Sequence, residues 1–537
     1  MDKSKRSTIH IYDTTLRDGS QTAGINFSAE DKKRIADHLA KLGVDWIEGG
    51  WPGSSPKDNQ FFKLMRDRAW SGSKLVAFGS TARPGQPVES DKGLNNLVNS
   101  GADAACIFGK SWDIHVTKAL GISLEKNLEL VQKSITFLKQ HFDTVFFDAE
   151  HFFDGYNADK QYAIKVLEAA QNGGADALVL CDTNGGNIPY RIAEVVTAVL
   201  KRFPQSDIGI HAHNDCELAV ANSLAAVRVG VTHIQGTING IGERCGNANL
   251  ISIIPNLQLK LGVDCGEIGK RLSDLKSISD FVNEMANRLP WRHQPYIGQN
   301  AFAHKGGIHV SAIRKENRLY EHIDPTLVGN EQRILVSDQA GRSNILSKLQ
   351  QLEPEAGLDA NDPVVVDAVQ RIKELEATGY AFEGADASFQ LLLRRAMGRF
   401  HRHFELISFR VYDEKRGHHE APESEATVQV RVNGELLHTA ALGNGPVNAM
   451  DKALRAALTD VYPNLKPMRL SDFKVRVLST REATEASVRV LIESTDGKSK
   501  WSTVGVSTDV LEAAYRALND AIEFKLMMDE SRQPAES

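Results

Sequence analysis

The sequence has few cysteines, and none of them has the spacing of a pair. Only five occur among 537 residues, namely Cys106, Cys181, Cys216, Cys245 and Cys265, and no Cys-x-x-Cys motif is present. An odd number of cysteines without metal-binding spacing argues against a disulfide framework. It predicts reduced thiols in a cytoplasmic protein.

Long apolar runs are also missing. No stretch of about 18 apolar residues occurs, which argues against a membrane span. The N-terminal MDKSKRSTIHIYD carries charges but lacks the apolar core of a secretory signal. The formal net charge is -6, and no basic stripe with interleaved aromatic residues appears, so nucleic acid is a poor candidate for a partner.

What the sequence does contain is a regular alternation of short apolar runs with helical segments. Eight strands with crossover helices in about 240 residues predict a (β/α)8 TIM barrel, an α/β fold. Most of the runs are continuously apolar, as in strands that are covered on both faces. An open doubly wound sheet is the alternative, although no Gly-x-Gly-x-x-Gly follows the first strand. The predicted strands are 9–13, 46–50, 74–79, 104–109, 144–150, 177–182, 208–213 and 233–238.

The chain is too long for one hydrophobic core, and we expect three regions. Residues 1–265 form the predicted catalytic barrel, and residues 266–385, with few strand signals, predict a helical linker or lid. Residues 386–530 carry a weak internal repeat, in which 426–458 and 486–522 each predict two strands and a helix. Two such ββα units predict an α+β domain for regulation or dimerisation, because we find no acid/base constellation in it.

Polar residues follow seven of the eight predicted strands. Reactive groups of TIM barrels collect at the C-terminal ends of the strands, so this distribution predicts one functional rim. The residues concerned are Asp13, Thr14, Arg17, Asp18, Glu48, Trp51, Ser80, Thr81, Arg83, Asp148, Glu150, His151, Asp182, Thr183, Asn184, His211, His213, Asn214, Asp215, Thr237, Asn239, Glu243, Arg244 and Asn247.

His211 and His213 are the clearest local signal on that rim. Residues two apart on a strand point the same way, so both imidazoles face the barrel axis. Two imidazoles and one carboxylate form a facial ligand set that leaves positions open for substrate. Asp18 can supply the carboxylate, since only strand eight separates strands one and seven, and Asn247 could add a weak or water-mediated contact. An isolated His-x-His is more often a pair of ordinary strand histidines.

Five motifs occur in the order that one enzyme family has them. Together they resemble the acyl-CoA-condensing synthases of the DRE-TIM metallolyase family, which includes 2-isopropylmalate, homocitrate and citramalate synthases. The resemblance covers nearly the whole chain, including a C-terminal regulatory domain like that of isopropylmalate synthase. The motifs are DTTLRDGSQ (13–21), IEGGWPGSSPKD (47–58), HAHND (211–215), NGIGERCGNANL (239–250) and NAFAHKGGIH (300–309).

Three stretches are similar to one branch of that family. IEGGWPGSSPKD, DAEHFFDGY (148–156) and AHKGGIH look most like the long form of the citramalate-forming members. This resemblance implies condensation of acetyl-CoA with pyruvate, in isoleucine biosynthesis. The alternative is a 2-isopropylmalate synthase that acts on 2-oxoisovalerate in leucine biosynthesis. One methylene in an apolar pocket is worth only about 1–3 kcal/mol, so physical reasoning alone does not rank the two substrates.

The resemblance also implies the residues that perform the chemistry. It places a divalent cation (Mn, Mg, Zn or Co) on Asp18, His211 and His213, where a 2-oxo acid can chelate it through carboxylate and keto oxygens. It places part of the catalysis and of substrate binding on Arg17, which can stabilise the oxyanion that develops on the former keto oxygen. A structural ion pair of Arg17 with Asp13 or Glu150 is the alternative.

Two residues are candidates for the base that removes a proton from the acetyl methyl group. Glu150 corresponds to a family carboxylate near the acetyl group, which could be the base or could position it. His309 matches a histidine that reaches a neighbouring subunit's barrel in relatives, and its ordinary pKa suits acid/base work. Tyr320 matches a tyrosine brought in with it, while His304 on the same loop could be only structural. Thr183 is expected to bind the carboxylate of the 2-oxo acid.

The partners implied by the resemblance are small molecules and a second copy of the chain. They are acetyl-CoA, a 2-oxo acid, and an amino-acid effector (isoleucine or leucine) at the C-terminal domain of a homodimer. A lyase that cleaves an acyl-CoA is the alternative from a neighbouring reaction class, and the ββα repeats argue against it. A sensor that binds a metal or an amino acid without catalysis is the non-enzymatic alternative, which the combination of Arg17 with the three ligand residues disfavours.

Overall fold

A computed structural model of the chain describes residues 8–313, 315–334, 361–382, 384–418, 421–478 and 486–530, with the single positions 346, 350 and 359. The chain divides into two compact units. The barrel unit comprises Met1–Phe302 with Ile323–Glu331, and the C-terminal unit comprises Ala303–His322 with Gln332–Ser537. Within the described residues, no helix has both the length and the apolar character needed to cross a membrane.

The barrel unit is built on eight parallel strands in sequential order. The last strand pairs with the first, in the register His10 to His233 and Asp13 to Gly236, so the sheet is closed. The predicted TIM barrel is therefore confirmed, and the open sheet is excluded. The strands are β1 (His10–Asp13), β2 (Trp46–Gly50), β3 (Lys74–Ser80), β4 (Ala104–Lys110), β5 (Val145–Glu150), β6 (Ala177–Asp182), β7 (Asp207–Ala212) and β8 (His233–Gly236).

Helices cover the outside of this barrel and share one large core with it. They are α1 (Ala29–Leu42), α2 (Pro56–Leu64), α3 (Lys92–Val98), α4 (Leu124–Lys139), α5 (Phe152–Ala158), α6 (Lys160–Gly173), α7 (Pro189–Arg202), α8 (Ala219–Val229), α9 (Leu250–Pro255) and α10 (Leu275–Met285).

The ends of α1 illustrate how local sequence sets these helices. Ser28 Oγ accepts a hydrogen bond from the Asp31 N–H at 3.1 Å, and Asp31 Oδ2 accepts one from the Ser28 N–H at 2.9 Å. This is a complete capping box, with Asp in the place that Glu usually takes. Gly43 ends the helix at a φ of 91°, a left-handed conformation that suits glycine.

The C-terminal unit contains two similar modules of three antiparallel strands and a helix. Its short elements before these modules are β9 (Ala303–His304), α11 (Gly307–Ile313) and β10 (Arg333–Ile334). The longer elements are α12 (Pro363–Ala377), α13 (Asp386–Ala396), β11 (Glu405–Glu414), β12 (Glu423–Val432), β13 (Glu435–Gly443), α14 (Pro446–Leu458), β14 (Arg469–Val477), β15 (Val488–Thr495), β16 (Lys500–Ser507) and α15 (Val510–Glu530). The two predicted ββα repeats are present, and each has an additional first strand.

Helices α12 and α13 belong to the same hydrophobic cluster as the last strand of the second module. Val365 and Phe389 are buried there with Val504 and Val506 of β16. The predicted region boundaries at 265 and 385 stay predictions.

Lys32 on α1 is a buried lysine that connects this helix to β2 and α2. Its Nζ lies 2.5 Å from Asp58 Oδ1 and 3.2 Å from the Gly49 carbonyl oxygen. Burial lowers the pKa of Lys32 more than Asp58 raises it. Asp58 Oδ2 accepts a hydrogen bond from the Trp51 N–H at 3.2 Å, so the pair also orients the end of β2.

We expect Lys32→Met to destabilise the protein by about 3–5 kcal/mol, because it leaves the Asp58 carboxylate buried without a counter-charge. Lys33→Met is the matched control. Lys33 lies on the same helix in a partly exposed i,i+4 pair with Asp37, and pairs at the surface contribute at most about 1 kcal/mol. Denaturant unfolding measures both variants, and equal losses would contradict the structural role of Lys32.

Candidate metal centre and active site

Three buried side chains converge at the C-terminal end of the barrel. His211 lies on β7, His213 follows it directly, and Asp18 follows β1. Asp18 Oδ2 lies 3.4 Å from His211 Nε2 and 3.8 Å from His213 Nε2, and the two Nε2 atoms are 3.3 Å apart. One ligand atom from each of the three residues therefore faces a common point, as the sequence predicted.

The donor set fits a divalent cation. Asp18 Oδ1 and Asn247 Oδ1 are buried, and neither has a hydrogen-bond partner among the described residues. A buried oxygen without a partner is unfavourable, and a cation would satisfy it. Asn247 pairs with His213 in an isolated antiparallel bridge, which holds its side chain at the same rim. Imidazole nitrogen with carboxylate oxygen is a ligand combination that divalent transition metals accept.

Gln235 on β8 determines which nitrogen of His211 faces this point. Its Oε1 lies 2.8 Å from His211 Nδ1, and its Nε2 donates to Asp148 Oδ1 at 2.9 Å. Because an amide oxygen only accepts, Nδ1 must carry the proton, and the lone pair is on Nε2. Sequence reasoning missed Gln235, although a single amide within the apolar run HIQG was a usable signal.

The protonation states of Asp18, His211 and His213 depend on one another. Burial alone would raise the pKa of Asp18, but Arg17 and the two imidazoles hold it well below its ordinary value. Burial, reinforced by His211, lowers the pKa of His213 to about 4, so this imidazole is neutral at pH 7. Burial would lower the pKa of His211 as well, yet Asp18 raises it above its ordinary value. A bound cation would take the place of that proton.

Arg17 is held between two carboxylates. Its Nε lies 2.6 Å from Glu48 Oε2 and its Nη1 lies 3.1 Å from Asp18 Oδ2. The guanidinium carbon is 3.8 Å from the centre of the Phe78 ring, which fixes its plane. The Nη2 atom takes part in neither ion pair. The structural partner of Arg17 is therefore Glu48, and not Asp13 or Glu150, the partners named in the alternative interpretation.

Glu48 is a fully buried residue to which three side chains donate hydrogen bonds, and the sequence analysis did not predict this role. It accepts hydrogen bonds from Tyr12 Oη at 2.7 Å, from Thr14 Oγ1 at 2.5 Å and from Arg17. Asp13 instead accepts from the Thr15 hydroxyl at 2.9 Å. A carboxylate in the middle of the otherwise apolar run WIEGG was the available signal.

Glu150 and Thr183 lie at the ends of β5 and β6. Glu150 is opposite Lys110 in the strand register, and its Oε2 accepts a hydrogen bond from Lys110 Nζ. Thr183 Oγ1 accepts a hydrogen bond from the His151 N–H at 2.9 Å. A hydroxyl that accepts still has its own proton to donate. Lys110 is a second residue that sequence reasoning did not single out.

His309 and Tyr320 lie in the C-terminal unit. Their rings stack with centroids 4.1 Å apart, so they form one aromatic pair, and their catalytic roles stay predictions. His304 is buried and lies 3.2 Å from Glu321 Oε1, which is a structural contact within the same unit.

Three family models match successive parts of the chain. Residues 8–282 match the HMGL-like model, residues 296–379 the homocitrate synthase post-HMGL domain-like model, and residues 383–526 the LeuA allosteric (dimerisation) domain model. Together with the closed barrel and the Asp–His–His cluster, these matches define the class as a TIM-barrel enzyme of the HMGL-like type with a LeuA-type allosteric domain.

Curated relatives narrow this class. The chain is 53% identical to the (R)-citramalate synthase of Geobacter sulfurreducens over 98% of each chain, and 52% identical to that of Aquifex aeolicus over 97% of this chain and 98% of the relative. The 2-isopropylmalate synthase of Dictyoglomus turgidum is 30% identical over 96% of this chain and 99% of the relative. The chain belongs to the HMGL-like family and, within it, groups with the (R)-citramalate synthases. The family resemblance of the five motifs is thus confirmed.

Asp148 is a buried carboxyl group just below this site. Burial raises its pKa to about 6, with Glu48 adding to the effect and His211 opposing it. A group whose pKa is higher in the folded than in the unfolded state stabilises the fold at low pH. It loses that contribution as the pH rises towards the folded value.

We therefore expect Asp148→Asn to stabilise the metal-free barrel at pH 7.5 by roughly 3 kcal/mol relative to wild type, with the difference vanishing near pH 4. Asparagine keeps an oxygen that can accept the hydrogen bond from Gln235. Denaturant unfolding at the two pH values measures the effect, and the exposed Asp143→Asn serves as the control. A difference that does not change with pH would refute the raised pKa of Asp148.

Proposed function

We propose that this chain condenses the acetyl group of acetyl-CoA with pyruvate and hydrolyses the resulting thioester, giving (R)-citramalate and free CoA for isoleucine biosynthesis. The observation that carries the proposal is full-length similarity. Five (R)-citramalate synthases are 45–53% identical to this chain, whereas the 2-isopropylmalate synthases are 30–31% identical. The buried candidate cation site and the neighbouring Arg17 also support the proposal, because together they can stabilise the negative charge that develops in such a reaction.

Asp18, His211 and His213 would hold a divalent cation (Mn, Mg, Zn or Co), with Asn247 as a further or water-mediated ligand. When bound, the cation supplies Lewis-acid polarisation of the keto group of a chelated 2-oxo acid. Gln235 keeps the lone pair of His211 directed at the site. The Thr183 hydroxyl donates a hydrogen bond to the carboxylate of the 2-oxo acid.

Arg17 stabilises the negative charge that develops on the former keto oxygen as the carbon–carbon bond forms. Its cationic state is secure, because Glu48 and Asp18 raise its pKa despite burial. Its orientation is set before substrate arrives by both carboxylates and by Phe78. Donors that are already oriented towards the developing charge are usually the largest single contribution to catalysis.

In this proposal Glu150 takes a proton from the acetyl methyl group or positions the group that does so. The contact with Lys110, which orients the Glu150 carboxylate, supports this role. The resulting enolate attacks the keto carbon, and water then cleaves the thioester and releases CoA. His309, with Tyr320 stacked on it, supplies acid/base chemistry from a neighbouring subunit. The nearly neutral ordinary pKa of histidine suits this task.

The proposal gives each of the three regions of the chain a separate role. Residues 1–265 form the catalytic barrel, 266–385 the linker or lid, and 386–530 the regulatory part. The LeuA-type domain model, which names dimerisation and allostery, supports a homodimer with an effector. We propose isoleucine or leucine as that effector.

The substrate is tested by following CoA release from acetyl-CoA with pyruvate, 2-oxobutyrate and 2-oxoisovalerate. We expect the highest kcat/KM with pyruvate and a loss of about tenfold or more for each added carbon, the usual effect of one methylene in a fitted pocket. A maximum with 2-oxoisovalerate would replace the proposal by 2-isopropylmalate synthesis. No CoA release with any 2-oxo acid would refute it.

Asp18→Asn tests the cation site. The variant keeps the shape of the side chain but loses the anionic ligand, so we expect Mn²⁺ affinity to fall by at least about tenfold and turnover to be abolished. Calorimetric titration of the metal-free protein with Mn²⁺ measures the affinity directly. Asp215→Asn, an acidic residue of the same rim that pairs with Arg244, should bind Mn²⁺ normally. Unchanged Mn²⁺ affinity in Asp18→Asn would disprove the ligand assignment.

Mixing two inactive variants tests the shared site. A heterodimer of His309→Ala and Asp18→Asn chains has one site with both changes and one intact site. Equal mixing should therefore restore roughly a quarter of wild-type activity, if subunits exchange freely in a symmetric dimer. Mass spectrometry of the mixture verifies the exchange. Complete exchange without recovery of activity would place His309 in the site of its own chain or outside any site.

A further inference from the structure

Left-handed backbone at residues other than glycine is concentrated on the functional rim of the barrel. Among the described residues seven such positions have a positive φ, and four of them lie in the loops after β5, β7 and β8, namely His151, Glu217, Asn239 and Arg244. Residues with a Cβ adopt this conformation at a cost, and such residues collect at functional sites. His151, with a φ of 55° and a ψ of 34°, directly follows the candidate base Glu150.

The backbone of His151 is hydrogen-bonded on both sides. Its N–H donates to Thr183 Oγ1 at 2.9 Å, and its carbonyl oxygen accepts from the Gly155 N–H at 2.9 Å in the first turn of α5. Because α5 fixes the chain that follows, a change of φ at His151 would rotate the preceding planar peptide group and turn its N–H away from Thr183. The left-handed conformation is therefore the condition for this hydrogen bond.

The imidazole of His151 holds this conformation in place. Its Nδ1 lies 3.1 Å from Asp154 Oδ2, and because a carboxylate only accepts, Nδ1 carries the proton. The same Asp154 oxygen accepts a hydrogen bond from Asn184 Nδ2 at 3.0 Å. The ring also packs on His115, with centroids 4.3 Å apart. Through Asp154, the imidazole thus connects the loop after β5 to the residue that follows Thr183.

The hydrogen bond from His151 restricts the direction in which Thr183 can donate. A hydroxyl oxygen has one proton and two lone pairs, and the His151 N–H occupies one of the lone pairs. The Thr183 carbonyl oxygen is held as well, since it accepts from Arg244 Nη2 at 2.7 Å. The hydroxyl proton is left for the acceptor of a ligand, in a direction that is restricted before the ligand arrives.

Glu150, on the other side of His151, is restrained by contacts of its own. Its carbonyl oxygen accepts from the Ser111 N–H at 3.3 Å and from Ser111 Oγ at 2.5 Å, and its carboxylate accepts from Lys110. The positions of Glu150 and Thr183 relative to each other therefore depend on the single residue His151. In the proposed reaction these two groups act on different substrates in one transition state, which requires that their geometry be fixed.

We propose that His151 is a positioning residue for the 2-oxo acid. Its left-handed backbone, kept by the contact of the imidazole with Asp154, directs the Thr183 hydroxyl towards the carboxylate of the substrate and fixes that hydroxyl relative to Glu150. His151 acts through Thr183 and not by contact with either substrate. The inference rests on the proposed function of Thr183 and Glu150. It adds a residue whose effect depends on its backbone conformation rather than on acid/base chemistry.

Substitutions that differ in their tolerance of the left-handed conformation test this role. His151→Val should raise KM for pyruvate about tenfold or more, because a β-branched residue leaves this conformation and the hydrogen bond to the charged carboxylate is weakened. His151→Asn, which tolerates the conformation and can still donate to Asp154, and His151→Gly, which lacks a Cβ, should stay within about threefold of wild type. KM for acetyl-CoA should change less than twofold throughout. Equal losses in all three variants would overturn the assignment, because the imidazole itself would then be required.

A double-mutant cycle with Thr183→Val separates positioning from local stability. Once the hydroxyl is removed, His151 has nothing left to orient, so His151→Val should raise KM for pyruvate less than about twofold in that background. A structural defect would instead multiply the two losses, and that result would overturn the inference. Asn433→Val is the control for backbone strain, because Asn433 has a φ of 51° in an exposed turn of the C-terminal unit. It should leave both KM values within about twofold of wild type.

Calorimetry separates this inference from the proposed reaction, since it measures binding without turnover. Titration of the Mn²⁺-loaded protein with pyruvate should give a Kd about tenfold higher for His151→Val than for wild type and His151→Asn. That result in a protein that releases no CoA would support the inference and refute the reaction. Normal CoA release together with equal pyruvate affinity in all three proteins would overturn the inference and leave the reaction standing.

Discussion

A chain of buried charges holds the candidate site together. Glu48, Arg17 and Asp18 are joined by ion pairs of 2.6 and 3.1 Å, and His211 continues the chain from Asp18. Buried charges are tolerated only where each has a partner, so the position of one group determines the position of the next. The pairing of β8 with β1 is the architectural condition for this chain, because it brings the first strand within reach of the histidine strand.

The inside of the barrel is accordingly more polar than packing alone would favour. TIM-barrel interiors are usually filled with branched aliphatic side chains, yet here Tyr12, Glu48, Asp148 and Gln235 are buried and joined by hydrogen bonds. The raised pKa of Asp148 indicates that this arrangement opposes stability at neutral pH. In return, the side chains that surround the candidate cation site are oriented before any substrate binds.

Much of the fold followed from the sequence, and the exceptions have physical causes. The barrel strands are buried on both faces, so their apolar runs were visible, and β7 (Asp207–Ala212) differs from its predicted span by one residue at each end. Strands β11 and β14 were missed because most of their residues are exposed, so that no buried apolar run marks them, although apolar and polar residues alternate in 407–411 and 473–477. Gln235 and Lys110 were missed because their importance depends on partners, Asp148 and Glu150, on other strands.

The sequence by itself determined the order of strands and helices, the family and the candidate ligand residues, because these depend on local periodicity and on motifs contiguous in the chain. Only the tertiary structure decided that Arg17 pairs with Glu48, 31 residues away, and which ring nitrogen of His211 faces Asp18. Contacts between distant residues are set by barrel closure and side-chain packing, which leave no local pattern in the chain.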